Sequence, residues 1–293
     1  MFISVIIPAS GRKNSLIRCL TSLDKRIDVD FEVCVIDDGS GLDEYEIRMK
    51  SDISYSLIWR SFDVPKGRSA ARNEGIHCTS GEIIIFLDSD METAEGFLEA
   101  HLKSHQNHPH TACIGRIIWP EGGSFFRYIG TRGVAKLKEN DPVPPWYFVT
   151  GNASIERYDL PSQSPFDETL PGWGGEDLDL GLKLHNAGVT FMYACEAISL
   201  HHFDGNLTTH VDRTFSYGFV TLPILADRYP EIPKILKLNL LDSLLLRFLI
   251  LPILFYPVFV CAIIFDKLPL PSFLFDYLTF AAYARGWQKG KKQ

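Results

Sequence analysis

Gly81-Glu82-Ile83-Ile84-Ile85-Phe86-Leu87-Asp88-Ser89-Asp90 decides the fold of this chain. From Ile83 to Leu87 every position is apolar, not every second one. That marks a strand covered on both faces, as in a parallel sheet sandwiched by helices. The strand ends on two carboxylates one residue apart. Open α/β sheets bind ligands beyond the carboxyl ends of their strands. A carboxylate pair there can share a divalent cation that also grips a substrate diphosphate. The competing reading of Asp88-Ser89-Asp90 is a solvated turn.

The same alternation of apolar runs and helical periodicity extends towards the N-terminus. Residues 3–8 read as a strand, 15–23 as a helix, 31–36 as a strand, 55–59 as a third strand and 67–77 as a helix after a glycine-rich turn. Residues 81–87 follow as the next strand, giving a doubly wound α/β half. From Cys113 onward the pattern loosens into glycine- and proline-rich stretches, with helical periodicity returning over residues 177–187. The chain divides on this reading into residues 1–112, 113–210 and 211–293.

Bulk properties remove some function classes. With 293 residues the chain can build one large domain or two smaller ones. A net charge of −7 speaks against a nucleic-acid partner. Six scattered cysteines without a Cys-x-x-Cys pair predict reduced thiols and a cytoplasmic setting. The N-terminus runs straight into a strand with no signal-peptide pattern, so the sequons at Asn152 and Asn206 are expected to stay unglycosylated.

Four further motifs carry chemistry, each with a plainer alternative. Asp37-Asp38-Gly39-Ser40 puts a second acidic tip after a buried strand; the alternative is an ordinary Asp-rich turn. Gly67-Arg68-Ser69-Ala70-Ala71-Arg72-Asn73 begins a helix with two arginines, which suits an anionic ligand or else an amphipathic surface helix. Trp173-Gly174-Gly175-Glu176-Asp177 places acidic residues at a helix N-terminus, where the macrodipole keeps a carboxylate ionised and fit to act as a base. The alternative is an N-terminal cap. His201-His202 could add a neutral imidazole ligand to the same cation, or be a core or surface pair.

In this order the motifs resemble family 2 glycosyltransferases of the GT-A fold, a Rossmann-like, mostly parallel sheet flanked by helices. The resemblance runs through Val5-Ile6-Ile7-Pro8, Val35-Ile36-Asp37-Asp38-Gly39-Ser40, Ala71-Arg72-Asn73-Glu74-Gly75 and Phe86-Leu87-Asp88-Ser89-Asp90. The second half is similar to the acceptor-side module of β-1,4-galactosyltransferases, polypeptide N-acetylgalactosaminyltransferases and chondroitin polymerases. There it rests on Thr150-Gly151-Asn152-Ala153-Ser154, Phe166-Asp167-Glu168 and Gly172-Trp173-Gly174-Gly175-Glu176-Asp177-Leu178-Asp179-Leu180.

The resemblance implies a role for each matched residue. Pro8 and the backbone after it, Ala9 and Ser10, would line the nucleotide pocket with Arg12. Asp38 would contact uracil or ribose, and Asp37 would support its turn. Arg72 and Asn73 would lie near the base. Asp88, with Ser89 beside it, would face ribose and metal. Asp90 would bind Mn²⁺ or Mg²⁺, with His201 as second ligand and His202 as its rival. Asp177 would be the catalytic base, Glu176 would contact sugar or acceptor, and Trp173, Gly174 and Gly175 would wall the sugar site. Ser10-Gly11-Arg12 departs from the Tyr-Asn-Arg of many relatives, which leaves the edge of the base pocket open. The implied activity is metal-dependent, inverting transfer of a hexose or N-acetylhexosamine from a UDP-sugar to a hydroxyl of a glycan or lipid-linked acceptor. A non-catalytic nucleotide-sugar-binding protein and a sugar-nucleotide pyrophosphorylase are the alternatives.

The C-terminal third predicts a hydrophobic helical region. Residues 248–265 carry no charge but contain Pro252 and Pro257; residues 268–284 are apolar except for Asp276. Eighteen helical residues reach roughly 27 Å, barely the hydrocarbon thickness. The tail holds Arg285, Lys289, Lys291 and Lys292. An even number of crossings, or a region lying in or dipping into the cytoplasmic face of a membrane, fits the basic tail better than one straight span, and the prolines favour the latter two. A helical subdomain packed on the catalytic core is the soluble alternative.

Overall fold

The computed structural model describes residues 1–24, 29–139 and 141–291. Lys292 of the basic tail lies outside them. The chain divides into two compact units. The first comprises Met1–Pro120, Gly130–Glu168 and Glu176–His202; the second comprises Glu121–Ile129, Thr169–Gly175 and Phe203–Gln293. The halves read from sequence as 1–112 and 113–210 share one sheet.

The strands of the first unit are β1 (Ile3–Ala9), β2 (Phe31–Asp37), β3 (Ser56–Ser61), β4 (Ile83–Leu87), β5 (Met91–Thr93), β6 (Thr111–Ile118), β7 (Asn152–Glu156) and β8 (Thr190–His201). They form one eight-stranded sheet in the order β3-β2-β1-β4-β7-β6-β8-β5. The β3 to β4 block is parallel, as are β6 and β8. β7 runs antiparallel to both β4 and β6 and joins the two blocks. Helices α1 (Lys13–Leu23), α2 (Glu44–Ser51), α3 (Arg68–Cys78) and α4 (Phe97–Asn107) follow in chain order. α5 (Ser124–Ile129) belongs to the second unit, and α6 (Glu176–Asn186) returns to the first.

Burial on both sides explains the unbroken apolar runs. Val5, Ile7, Ile83 and Ile85 pack into one core with Leu16 and Leu20 of α1 and Phe97 of α4. Their neighbours Ile6, Ile84 and Phe86 turn to the other face and pack with Ile76 of α3 and Leu180 and Leu184 of α6. Alternate residues of one strand thus serve two helical layers.

A polar chain runs through the sheet between β7, β8 and α4. Asn152 is fully buried and donates from Nδ2 to Ala197 O and Ser199 Oγ, both at 2.9 Å. Its Oδ1 accepts from His101 Nε2 at 2.9 Å. His101 Nδ1 must then be an acceptor, and it takes the Ser154 hydroxyl at 2.8 Å. The Ser154 oxygen in turn accepts from His105 Nε2 at 2.8 Å, leaving His105 Nδ1 unprotonated and without a protein partner. A Cβ on Gly115 would come within 2.2 Å of Asn152 Oδ1, so the strand beside this amide must carry glycine. Asn152, half of a sequon by sequence, sits inside the sheet where no glycan could be attached. All six cysteines are free.

The second unit holds α5 together with α7 (Leu207–Ser216), α8 (Leu222–Arg228), α9 (Ile232–Ile235), α10 (Leu244–Leu249), α11 (Pro252–Ile264) and α12 (Ser272–Gly290). Phe275 of α12 packs against Phe125 and Tyr128 of α5 at ring separations of 6.2 and 5.2 Å. Asp276, the charge in the second apolar stretch, accepts from Tyr128 Oη at 2.9 Å. The uncharged run 248–265 is not one helix. It breaks at Ile250 and Leu251, and Pro252 occupies the first turn of α11, where its missing N–H is no loss. Among the described residues no helix is long and apolar enough to cross a membrane.

The histidine chain sets a pH dependence of stability. In the unfolded chain each histidine takes up a proton near pH 6.5. In the folded protein burial lowers His101 to about 3 and His105 to about 4. The stabilisation of their neutral forms is complete above the unfolded value. It is lost as pH falls from there towards the folded values, at up to about 1.4 kcal/mol per pH unit for each histidine. Thermal unfolding at pH 5 should therefore show a lower Tm than at pH 7. Replacing His105 by Gln should flatten that slope; an unchanged slope would mean the two rings are not neutral in the fold.

Candidate active site

The end of β4 and the starts of α3 and α6 meet around one buried guanidinium. Arg72 of α3 is 1% exposed. Its Nη2 lies 3.0 Å from Asp88 Oδ1, at the end of β4. Its Nη1 lies 3.4 Å from Glu176 Oε1 and 3.9 Å from Asp177 Oδ1, at the start of α6. Burial alone would lower the Arg72 pKa, but Asp88, Asp177 and Glu176 outweigh it and raise the value. Its positive charge is permanent.

The same geometry drives the two α6 carboxylates apart. Burial pushes Glu176 upward, yet Arg68, 2.9 Å away, and Arg72 more than reverse this and hold it below the usual carboxylate range. Asp177 is raised to about 6, first by burial and then by the neighbouring charge of Glu176. Arg72 and a hydroxyl donated by Thr150 at 2.6 Å oppose the rise without cancelling it. Two adjacent carboxylates with separated pKa values are an arrangement for two different tasks.

The second acidic cluster stands on the turn after β4. Asp90 Oδ2 is ion-paired with Arg12 Nη1 at 2.9 Å, and its Oδ1 lies 3.3 Å from His201 Nε2. Burial acts to raise Asp90, but His201 and Arg12 prevail and lower it. Strand register recruits His201: Met91 of β5 stands opposite His201 of β8, and His202 N donates to Asp90 O at 3.0 Å. The His201 ring packs on Trp119 at a centroid distance of 4.4 Å. The side chain of His202 instead meets Glu92 Oε2 at 2.9 Å. Of the two candidate ligands only His201 faces Asp90.

The donor set fits a divalent cation that a substrate completes. Asp90 and His201 supply a carboxylate and an imidazole, and Asp88 stands two residues away. Among the described residues no group of three or more His, Cys, Asp or Glu side chains is arranged to hold a metal unaided. A hard cation with two protein ligands keeps most of its coordination shell for water and phosphate oxygens.

The turn after β2 is held by its own first aspartate. Asp37 is buried and accepts from Ser40 Oγ, and from the N–H groups of Ser40 at 3.2 Å and of Gly41 and Leu42 at 3.1 Å. All its acceptor capacity is spent there. Asp38 accepts from Lys66 N at 2.6 Å and Gly67 N at 3.0 Å, tying the turn to the start of α3. Gly39 has φ +65°, and a Cβ there would lie 2.4 Å from the Val64 carbonyl carbon. Pro8 and Ala9 are buried in β1, while Ser10 is exposed.

The two residues expected near the nucleotide base are both buried. Besides Arg72, Asn73 is 2% exposed and its amide bonds Phe166 O at 2.9 Å, Glu168 Oε1 at 2.7 Å and Phe166 N at 3.1 Å. It pins the Phe166-Asp167-Glu168 segment. Ser89 is half-buried in the turn between the two aspartates. Sequence reasoning missed Thr150 as partner of Asp177, Arg68 as partner of Glu176, and Trp119 as support for His201. The Gly151 turn after Thr150 was the one local cue.

Trp173, Gly174 and Gly175 belong to the second unit. Trp173 is 40% exposed, with the Arg213 guanidinium 5.3 Å above its ring.

Residues 4–160 match the family model for glycosyl transferase family 2. The uncharacterized glycosyltransferase YfnE of Bacillus subtilis (strain 168) is 28% identical over 251 residues, covering 68% of this chain and 64% of its own. This chain spans less than two thirds of that relative, and 54% of the validoxylamine A glucosyltransferase of Streptomyces hygroscopicus subsp. jinggangensis, also 28% identical, over 67% of this chain. Among solved structures, S. aureus TarS 1–349 in complex with UDP-GlcNAc aligns with a TM-score of 0.56 at 19% identity, over 70% of this chain and 60% of that one. GalNAc-T7 with UDP, GalNAc and Mn²⁺ aligns with a TM-score of 0.53 at 19% identity, over 69% and 44%. These likenesses speak for the fold, a GT-A-type sheet with helices on both faces. With more than half its length matched, the chain belongs to glycosyl transferase family 2, a family of glycosyltransferases.

Proposed function

We propose that the protein transfers a hexose or N-acetylhexosamine from a UDP-sugar to a hydroxyl of a glycan or lipid-linked acceptor, with inversion at the anomeric carbon. The observation that carries this reading is the pair of carboxylates on α6, one held ionised and one raised to about 6, sharing Arg72 with Asp88 at the strand end. The named complexes of TarS with UDP-GlcNAc and of GalNAc-T7 with UDP support a UDP-sugar donor.

Asp177 Oδ acts as the base that takes the acceptor hydroxyl proton. Thr150 and Arg72 hold its carboxylate in place. Glu176, kept charged by Arg68 and Arg72, is suited to accept hydrogen bonds from sugar hydroxyls and not to move a proton. Asp38 and the backbone after Pro8 bound the nucleoside side. Asp90 and His201 would hold a Mn²⁺ or Mg²⁺ ion, with Asp88 beside them. When bound, that ion offsets negative charge on the departing nucleoside diphosphate. A single displacement needs no covalent nucleophile.

UDP release measured across a panel of UDP-sugars, with and without Mn²⁺, tests the assignment. No release with any donor would overturn it. Asp90→Ala should abolish transfer, and EDTA should do the same to the unaltered protein; full turnover in either case would remove the cation from the mechanism.

Asp177→Asn keeps the shape but cannot accept a proton. Its kcat should fall by about 10² to 10⁴ with UDP affinity nearly unchanged. The base works only when ionised, so kcat/KM of the unaltered enzyme should be level well above pH 6. It should drop by about tenfold per unit well below that value. An inactive Glu176→Gln beside an active Asp177→Asn would exchange the two roles.

Removing the shared cation should hurt more than removing either carboxylate. Arg72→Met leaves acidic groups packed together without their common partner, and breaking such a buried pair costs about 3–5 kcal/mol. Denaturant unfolding should show a loss of that order; a stability within error of the original would mean the cluster is screened by solvent.

A further inference from the structure

The second unit presents an apolar surface that its own packing does not explain. Among the described residues twenty-three large apolar side chains are exposed, and thirteen of them fall between Leu244 and Phe273. Leu244 is 80% exposed, Ile253 75%, Ile264 66% and Phe273 70%. Scattered exposed leucines are normal on a protein surface, but a run this dense marks an interaction site. The thirteen residues of α11 reach about 20 Å, short of the roughly 30 Å hydrocarbon core of a bilayer. Pro257 inside α11 and the break at Ile250 and Leu251 further exclude one straight spanning rod.

The charge around this surface differs from that of the whole chain. Residues 231–293 carry eight basic and four acidic side chains, in a protein of net charge −7. Two of the four acids are engaged within the unit: Asp266 accepts from Phe125 N at 2.8 Å, and Asp276 from Tyr128 Oη. Lys234, Lys237, Arg247, Lys267, Lys289 and Lys291 are exposed. A groove of about 630 Å³ opens beside the α10–α11 break, lined by Leu241, Asp242, Arg247, Leu251, Trp287 and Lys291 among others. It joins two cations, one carboxylate and an indole to a leucine of the apolar run, so its ionisable lining is net positive. That is the chemistry of a phosphate-bearing lipid headgroup at the membrane interface.

We infer that α10 and α11 lie in the plane of an anionic lipid bilayer. Their exposed apolar side chains enter the headgroup–acyl boundary, the groove takes a lipid phosphate between Arg247 and Lys291, and no segment crosses. The inference stands apart from the transfer reading, because it uses no residue of the first unit. Apolar insertion supplies the larger share of the binding, and the basic residues add attraction to an anionic surface.

Sedimentation of the purified full chain with phosphatidylcholine vesicles, with and without phosphatidylglycerol, tests it. The protein should pellet with the phosphatidylglycerol vesicles and much less with the neutral ones. Ile253→Glu with Ile264→Glu should weaken binding about tenfold or more. Both positions are exposed, so circular dichroism melting should match the unaltered chain. Lys234→Glu with Lys267→Glu should erase the preference for anionic lipid. A C-terminal tag should remain cleavable by protease added outside the vesicles. Failure to pellet with either vesicle would overturn the inference. So would unaltered binding by the double glutamate variant, a tag protected by the bilayer, or a lipid-free dimer that the same variant abolishes, since a second copy would then cover the face.

Discussion

One buried positive charge organises the first unit. Arg72 lies under three carboxylates that arrive from two different elements, Asp88 from the end of β4 and Glu176 and Asp177 from the start of α6. A planar guanidinium can face several partners at fixed angles, which a lysine ammonium cannot. The strand end that would face a donor and the helix that would carry the base are therefore fixed to one another through a single side chain. Arg68 and then Arg72 keep Glu176 charged, while burial raises Asp177.

The sheet supplies the second constraint. β7 enters antiparallel between two parallel blocks and carries Asn152 into the interior, where its amide joins α4 to β8. A buried amide with every hydrogen bond made fixes strand register more sharply than apolar packing does. That register places the last residues of β8 opposite β5, next to the acidic turn. The approach of His201 to Asp90 is thus inherited from pairings deep in the sheet.

Much of this was readable from the sequence because it is local. The runs before Asp37 and Asp88 are buried on both faces, and carboxylates that follow such runs stand at strand ends whatever the rest of the fold does. The glycines before Glu176 likewise announce a helix start. The partners of Arg72 were not readable, because Asp88 and Glu176 lie 16 and 104 residues away in the chain. Arg72 read as an anion-binding residue because a guanidinium at a helix start suits an anion, and Asn73 was placed near the base only by resemblance; in the fold both are buried and bonded to protein groups. The break in the 248–265 run was foreseeable from Pro252, whereas the exposure of α10 and α11 depends on which faces α12 leaves uncovered.

The doubled histidine at the end of β8 has a consequence of its own. Side chains along a strand alternate in direction, so the position opposite Met91 determines which imidazole turns to Asp90, not the residue's place in the count. If the chain were one residue shorter just before His201, His202 would slide into that position and still offer a ring nitrogen to the acidic turn. A single isolated histidine would be lost from the site by the same slip. Two in succession make the imidazole contribution tolerant of a one-residue length change in the strand that delivers it.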